Sequence, residues 1–368
     1  MKRITKYILL GLAFWFLLFL GWEWWRSYPK VRVTPVSYPE SRDARIDSLL
    51  SQSLIQYLIP GIAVGIIKNE KLTYLRAFGF ENLKTKDSLT LQSQIPVASV
   101  SKIFTALTLA NFALEKGYSL DSPVNSILPK AKKLSSDFSQ LSLRDLLRHT
   151  SGITDKRGLG SVLLNQEKRQ LGNLPNLLNS PKLGNRQYHY ADANFDLIGY
   201  LLEVSEAIPF ELIAKERILI PGGMNSSEFV VKWPLDTGSI QGHQRTFLWK
   251  RIEPKALKLE RFPSPSSGLV LSAAELSKAL IHLSRGNMGT FGDELAWLKS
   301  GEEIPAGFQS IQINNSGFIG HFGEQGGYSS LVIYSPDLEV AFFLVSNAAD
   351  KADFRREIAA AILKIITP

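Results

Sequence analysis

The chain has no cysteine among its 368 residues. Disulfides, thiolate metal sites and a cysteine nucleophile are therefore excluded. Histidine is scarce, with five in all. None falls in a His-Glu-x-x-His pair, and no paired acidic run accompanies them, so no metal is expected. There is no Gly-x-Ser-x-Gly elbow, which disfavours the strand-turn-helix nucleophile of α/β-hydrolases. No glycine-rich phosphate loop is present either, and no cofactor is expected. No internal repeat is evident.

What is present begins with charge. Lys and Arg outnumber Asp and Glu by 42 to 34. Five of those eight net charges lie in residues 1–32, where Lys2, Arg3, Lys6, Arg26, Lys30 and Arg32 face Glu23 alone. The folded remainder is thus nearly balanced, and it lacks the basic patch that a nucleic-acid partner would require. The apolar fraction of 45% is that of a globular protein with a sizeable core.

The same N-terminal region holds the one long apolar run. Tyr7 to Trp22 is almost wholly apolar. Extended to Trp25 it makes a helix of about 28 Å, close to the thickness of a bilayer core. Trp22, Trp24 and Trp25 suit the membrane interface. Lys2, Arg3 and Lys6 give it a signal-like basic front, but Gly21-Trp22-Glu23-Trp24-Trp25 is too bulky for a cleavage site. Residues 1–27 therefore read as an uncleaved signal anchor, a single pass through the cell membrane. A buried core helix is the alternative. Basic residues flank both sides equally, so the positive-inside count is silent. The order of charge and then apolar run favours export, with the rest on the periplasmic or extracellular side. Residues 28–41, with Pro29, Pro35 and Pro39, read as a linker.

Residues 42–368 read as one folded unit. Helical spacing runs from Arg42 to Leu58. Ile62–Ile67 reads as a buried strand, Lys68–Lys71 as a hairpin turn and Leu72–Phe80 as its partner. A helix follows from Ser99 to about Glu115, stopped by Gly117. Residues of about 100–285 read as mainly helical. Strand character returns at Gly317–Phe322, Tyr328–Tyr334 and Val340–Ser346, and Ala352–Ile366 closes the chain as a helix. Strands at both ends around a helical middle imply an α+β fold: one antiparallel sheet flanked by the terminal helices, with a mainly helical subdomain beside it.

Chemistry concentrates at Ser99-Val100-Ser101-Lys102. A serine and a lysine three apart share one helix face, so the ammonium reaches the hydroxyl. The helix N-terminus favours negative charge on the serine oxygen. Val100, Ile103 and Phe104 surround the lysine with apolar groups, and desolvation would give access to its neutral, proton-accepting form. A Ser-x-x-Lys match is short, expected by chance about twice in such a chain. A second one, Ser27-Tyr28-Pro29-Lys30, is a poor site because Pro29 opposes a helix across it.

Context separates the two. In order along the chain stand Pro60-Gly61-Ile62-Ala63-Val64, the Ser99 motif, Leu146-Leu147-Arg148-His149-Thr150-Ser151-Gly152-Ile153, Tyr190-Ala191-Asp192, Ile220-Pro221-Gly222-Gly223-Met224, Ser267-Gly268-Leu269-Val270-Leu271-Ser272 and His321-Phe322-Gly323. This set resembles the serine β-lactamase and penicillin-binding-protein superfamily, in the branch related to class C β-lactamases. The resemblance covers nearly everything after the linker and implies the β-lactamase/transpeptidase-like fold. It implies Ser99 as nucleophile, with Lys102 and Tyr190 moving protons. Tyr190 would protonate the leaving group and later activate the deacylating water. The backbone N–H groups of Ser99 and Glu324 would hold the oxyanion, with Gly323 allowing close approach of substrate. His149 is expected to be structural, beneath the site.

Two positions depart from that pattern. Asp192 stands where the family has an asparagine that contacts the lysine and the substrate amide. A carboxylate accepts but does not donate, and would pair with Lys102 in a way that favours the protonated lysine. The same position also reads as the N-cap of a helix over Ala193–Val204. His321 stands where β-lactamases carry a lysine that holds the substrate carboxylate, and its charge is not assured at neutral pH. The resemblance therefore implies a serine hydrolase acting through an acyl-enzyme on an ester or amide, including D-amino-acid or cell-wall peptides. The rivals are a true β-lactamase or D-alanyl-D-alanine carboxypeptidase, and a binding protein that keeps the fold without turnover. The expected partners are a small-molecule or peptide substrate and, through the N-terminal helix, the membrane. The substrate loops, including Asp155–Pro181, and the oligomeric state stay open.

Overall fold

The computed structural model describes residues 2–28, 40–155, 171–176, 178, 187–233, 239–257, 259–260 and 264–367. Most of the expected linker and most of the Asp155–Pro181 loop lie outside the described residues.

The sheet has seven strands: β1 (Gly61–Lys68), β2 (Lys71–Asn82), β3 (Asp87–Ser88), β4 (Gln309–Ile313), β5 (Ser316–Gln325), β6 (Tyr328–Ser335) and β7 (Val340–Ser346). Their spatial order is β4-β5-β6-β7-β1-β2-β3, antiparallel throughout. The first and last strands of the fold thus meet at its centre, where Ile62 faces Ser346 and Lys68 faces Val340. Apart from Lys68 and Ser346 at their ends, both strands are apolar, because both sheet faces are covered. Phe342 and Leu344 of β7 point to one side with Ile62, Val64 and Ile66 of β1. Phe343 and Val345 point to the other with Ala63 and Ile67. Gly65 makes room for the Phe343 ring, which a Cβ would meet at 2.1 Å.

The helices relevant to the site are α1 (Lys2–Arg26), α2 (Arg42–Gln56), α3 (Ser101–Lys116), α4 (Asp192–Glu206), α5 (Ala273–Ser284) and α6 (Phe354–Ile366). One sheet face is closed by α2 and α6, through Ile46, Leu50, Phe354, Ile358 and Ile362. On the other, α5 and the body around α3 and α4 pack over Phe104, Leu107, Leu276 and Leu280. The expected antiparallel sheet between terminal helices is present. The middle of the chain is less helical than its spacing implies. Short pairs cross it at His243–Arg245 with Ile252–Pro254 and at Leu269–Leu271 with Ile95–Pro96. The edge strand β4 was also not anticipated, since Gln-Ser-Ile-Gln-Ile holds only two apolar residues. Ile311 and Ile313 turn inward and the intervening residues face out.

The helix α1 meets this body only near its C-terminal end, at Leu20, Glu23 and Trp24. Within Ile4–Arg26 an 18-residue window has a mean hydropathy of 1.9, and none of that window is buried. By length and composition it is long enough to cross a membrane.

Candidate active site

Val97 to Lys102 carries Ser99 from the sheet side into α3. Ala98 is held at a φ of +49°, a region costly for a residue with a Cβ. That strain tips the single turn Ala98–Val100 so that Ser99 faces the sheet before α3 begins. The turn is clamped from β6, where the Ser330 hydroxyl donates to the Val97 carbonyl at 2.6 Å.

Lys102 is fully buried. Its Nζ donates to Ser99 Oγ at 3.1 Å, to Asp192 Oδ1 at 2.7 Å and to the Ser266 carbonyl at 2.9 Å. All three ammonium protons are therefore placed. Burial pushes this lysine down, but Asp192 and Tyr190 together outweigh it and the net shift is upward. Desolvation by the apolar neighbours does not leave a neutral amine. The pairing with Asp192 thus favours the ammonium, as the carboxylate at that position implied.

Tyr190 completes the cluster. Its Oη donates to Ser99 Oγ at 2.9 Å, and Lys102 Nζ lies 5.0 Å from its ring centroid. His149 holds this tyrosine from behind, with ring centroids 4.5 Å apart. His149 Nδ1 accepts the Ala191 N–H at 3.2 Å and lies 3.1 Å from Asn194 Nδ2. Burial, assisted by the Lys102 charge, pushes His149 down to about 3. It is neutral and structural, as expected.

Asp192 is not an N-cap. It is the first residue of α4, behind Ala191. Asp155 caps the helix from outside, accepting the N–H groups of Asp192 and Ala193 at 3.1 and 3.0 Å. The Asp192 carboxylate is thereby free for Lys102. One turn later, Asp196 is buried, and burial together with the Asp192 charge pushes its carboxyl well above the usual range. It accepts the Ser266 N–H at 3.1 Å. Asp196 therefore aims the Ser266 carbonyl that receives Lys102. Neither Asp196 nor Ser266 was singled out from sequence, since the contact between them spans 70 residues.

The far wall is β5. His321 is buried, with its ring 6.1 Å from that of Tyr190. Its Nδ1 donates to the Phe322 carbonyl at 2.5 Å. Burial, with the Lys102 charge second, pushes it down to about 3. At neutral pH it is uncharged and supplies no cation where the resemblance places one. Gly323 packs directly on the Ser99 turn. A Cβ there would lie 2.2 Å from the Val97 carbonyl and 3.2 Å from the Ser99 nitrogen. The exposed Glu324 follows it. Arg355 of α6, another residue not anticipated, donates to the Gly323 carbonyl at 2.5 Å and the Ser330 carbonyl at 3.1 Å. It is fixed in turn by Asp350 at 2.7 Å and Glu324 at 3.3 Å. Beside the cluster a cleft of about 630 Å³ opens between His149, Tyr188, Phe308, Gln309 and His321. That volume suits a small ligand.

This geometry agrees with the comparisons. The Beta-lactamase family profile matches residues 46–366. The chain belongs to the beta-lactamase family. Relatives of this family member include a D-aminopeptidase of Brucella anthropi, 29% identical over 183 residues, which are 47% of this chain and 34% of that protein. A beta-lactamase of Pseudomonas fluorescens is 28% identical over 247 residues, 66% of this chain and 64% of that protein. The match thus spans about a third of the D-aminopeptidase. Among solved structures, the D-amino acid amidase from Ochrobactrum anthropi SV3 superposes with a TM-score of 0.72 at 16% identity, over 87% of this chain and 99% of that one. An octameric penicillin-binding protein homologue from Pyrococcus abyssi gives 0.69 at 21% identity, over 88% and 77%. At such identities these two likenesses establish the fold.

The buried histidines also set an acid limit on stability. His149, His321 and His243 sit at about 3, 3 and 4 in the folded chain. The unfolded chain takes up protons at all three below about pH 6.5, whereas the folded chain does not until far lower. Stability is therefore full above that value and falls as pH drops toward 4, by about 2 kcal/mol per histidine at pH 5. Thermal unfolding at pH 7 and pH 5 is expected to show a clearly lower midpoint at pH 5. An unchanged midpoint would mean that these rings protonate freely in the fold.

Proposed function

We propose that the chain is a serine hydrolase that forms an acyl-enzyme at Ser99. One observation carries this reading: Ser99 Oγ lies within hydrogen-bond reach of both Lys102 Nζ and Tyr190 Oη. Ser99 attacks a carbonyl and gives its proton to the Lys102–Tyr190 pair. With the Lys102 ammonium beside it, Tyr190 is the group that exchanges protons with Ser99 and the leaving group, and Lys102 balances the charge. The backbone N–H groups of Ser99 and Glu324 hold the oxyanion, an interaction worth several kcal/mol in such sites. Tyr190 then returns the proton to the leaving group, and water releases the acyl group by the reverse path.

The substrate we favour is an amide or ester of a small amino acid or peptide, D-configured as in the D-aminopeptidase relative. The neutral His321 supports this over a β-lactam or a D-alanyl-D-alanine carboxypeptidase substrate, since either would bring a carboxylate to that wall. We further read α1 as a membrane anchor that leaves the catalytic unit on the outer face.

The test is a fluorophosphonate probe on the full chain in detergent, followed by peptide mass mapping. The adduct is expected on Ser99. Parallel assays should show turnover of a p-nitrophenyl ester and a D-alanine anilide, with little hydrolysis of a chromogenic cephalosporin. An adduct on another serine would refute the nucleophile assignment. Efficient cephalosporin hydrolysis would favour the β-lactamase reading instead.

A further inference from the structure

Residue Glu23 is out of place in α1. It is the one acidic residue in an apolar helix whose other described side chains are largely exposed, yet it is only 3% exposed itself. The burying partner is the tip of the hairpin formed by His243–Arg245 and Ile252–Pro254. Glu23 Oε1 accepts the N–H groups of Phe247 and Leu248 at 2.5 and 3.2 Å. Trp249 Nε1 donates to the Leu20 carbonyl at 3.3 Å, and its ring meets Trp24 edge-on at 5.4 Å. The Arg251 guanidinium lies 4.1 Å over the Trp24 ring and donates to the carbonyls of Tyr28 and Ser27. The Tyr28 N–H closes the joint on the Ile252 carbonyl at 2.6 Å.

The tip is thus fastened along α1 from Leu20 to Tyr28, and it carries apolar side chains outward. Phe247 is 84% exposed, and Leu248 and Trp249 are also open to the outside. They stand at the level of Trp22, Trp24 and Trp25 of α1, the last 86% exposed. Leu20 lies about 7.5 Å along the helix from Trp25. The headgroup layer on each side of a bilayer is about 5–8 Å thick. If the three helix tryptophans occupy that layer, Phe247 and Trp249 occupy it too. The exposed Lys250 adds a cation at the same level, suited to lipid phosphates.

We infer that the hairpin tip Phe247-Leu248-Trp249-Lys250 is a second membrane contact, seated in the lipid headgroup layer beside the end of α1. The inference rests on the reading of α1 as a membrane anchor. It explains Glu23, whose charge would be costly at that depth without the two N–H groups that the tip brings to it. It also makes the mount rigid. The base of the hairpin joins the catalytic sheet, since the His243 N–H donates to Gly327 in the β5–β6 turn at 3.2 Å and its carbonyl accepts Ala349 N–H at 2.8 Å. Two lipid contacts joined to the sheet fix the height and tilt of the Ser99 cleft over the bilayer.

The absence of cysteine allows a direct test. Single-cysteine variants Phe247→Cys, Phe14→Cys and Glu303→Cys of the full chain are spin-labelled and reconstituted in vesicles of phosphatidylcholine and phosphatidylglycerol. Collision with a water-soluble relaxant and with oxygen reports depth. The expected result is loss of access to the aqueous relaxant at positions 247 and 14, with position 14 deeper, and full access at the exposed Glu303. Leu248→Cys serves as a second tip position, and an unchanged melting temperature shows that each variant folds. Full aqueous access at 247 and 248 with 14 shielded would overturn the second contact and leave the anchor reading intact. Aqueous access at 14 would overturn the anchor reading and this inference with it.

Discussion

Replacing Lys102 with methionine is expected to slow acylation of Ser99 by about 10²–10⁴-fold, the range for a lost proton-handling group, with little loss of fold. The two effects separate because of how the lysine is buried. Methionine fills a similar volume and carries no charge into the interior. The loss of the Asp192 pair is offset by relief of the ammonium's desolvation. The cost that remains is at the Ser266 carbonyl, which loses its 2.9 Å donor, on the order of 1–3 kcal/mol for a buried acceptor. Asp192 keeps partial access to water, with 36% of its side chain exposed, so its charge is not stranded. The measurement is the rate of fluorophosphonate labelling beside a thermal melt. A variant that labels at the parent rate would place proton handling on Tyr190 alone. One that fails to fold would show that Lys102 acts first as a structural pin between α3, α4 and Ser266.

The charge state of Lys102 marks the limit of what could be read without coordinates. The i, i+3 spacing of Ser99 and Lys102 depends only on helix geometry, so it was legible. So were the central strands, whose unbroken apolar runs require cover on both faces, and the helix stop at Gly117, which adopts a φ of +76°. Lys102 was different. Its apolar neighbours argue for a neutral amine and Asp192 argues for an ammonium. Only the 2.7 Å contact across 90 residues decides between them. Asp192 was ambiguous for a related reason, because an aspartate before a helix can cap it or serve the site. The capping role had passed to Asp155, 37 residues upstream. The supports from Asp196, Ser266 and Arg355 were illegible because each acts through backbone atoms of a distant segment. No local pattern records which carbonyl a side chain will aim. The joint between α1 and the 243–254 hairpin is of the same kind, a contact across more than 220 residues.

Gly323→Ala is expected to reduce kcat/KM by about 10²–10³-fold, comparable to loss of an oxyanion-hole donor. The argument is one of space rather than backbone torsion. The new Cβ would lie 2.2 Å from the Val97 carbonyl and 2.3 Å from Ser330 Oγ. Neither has a cheap escape. The Val97 carbonyl belongs to the turn that presents Ser99, and Ser330 Oγ is already bonded to that carbonyl at 2.6 Å. Relief must come from separating β5 from the turn, which pulls the Glu324 N–H away from Ser99 and disturbs the Arg355 clamp on the Gly323 carbonyl. Overpacking of this kind costs about 1–3 kcal/mol in stability, so the melting point is expected to fall with the rate. Gly317→Ala on the same strand is the control, since its Cβ would meet nothing closer than Gln312 Nε2 at 3.6 Å. It should leave both quantities near the parent values. If Gly323→Ala acylates as fast as Gly317→Ala, then β5 does not form the oxyanion wall. The stabilising N–H groups must then be sought on the Ser99 turn alone.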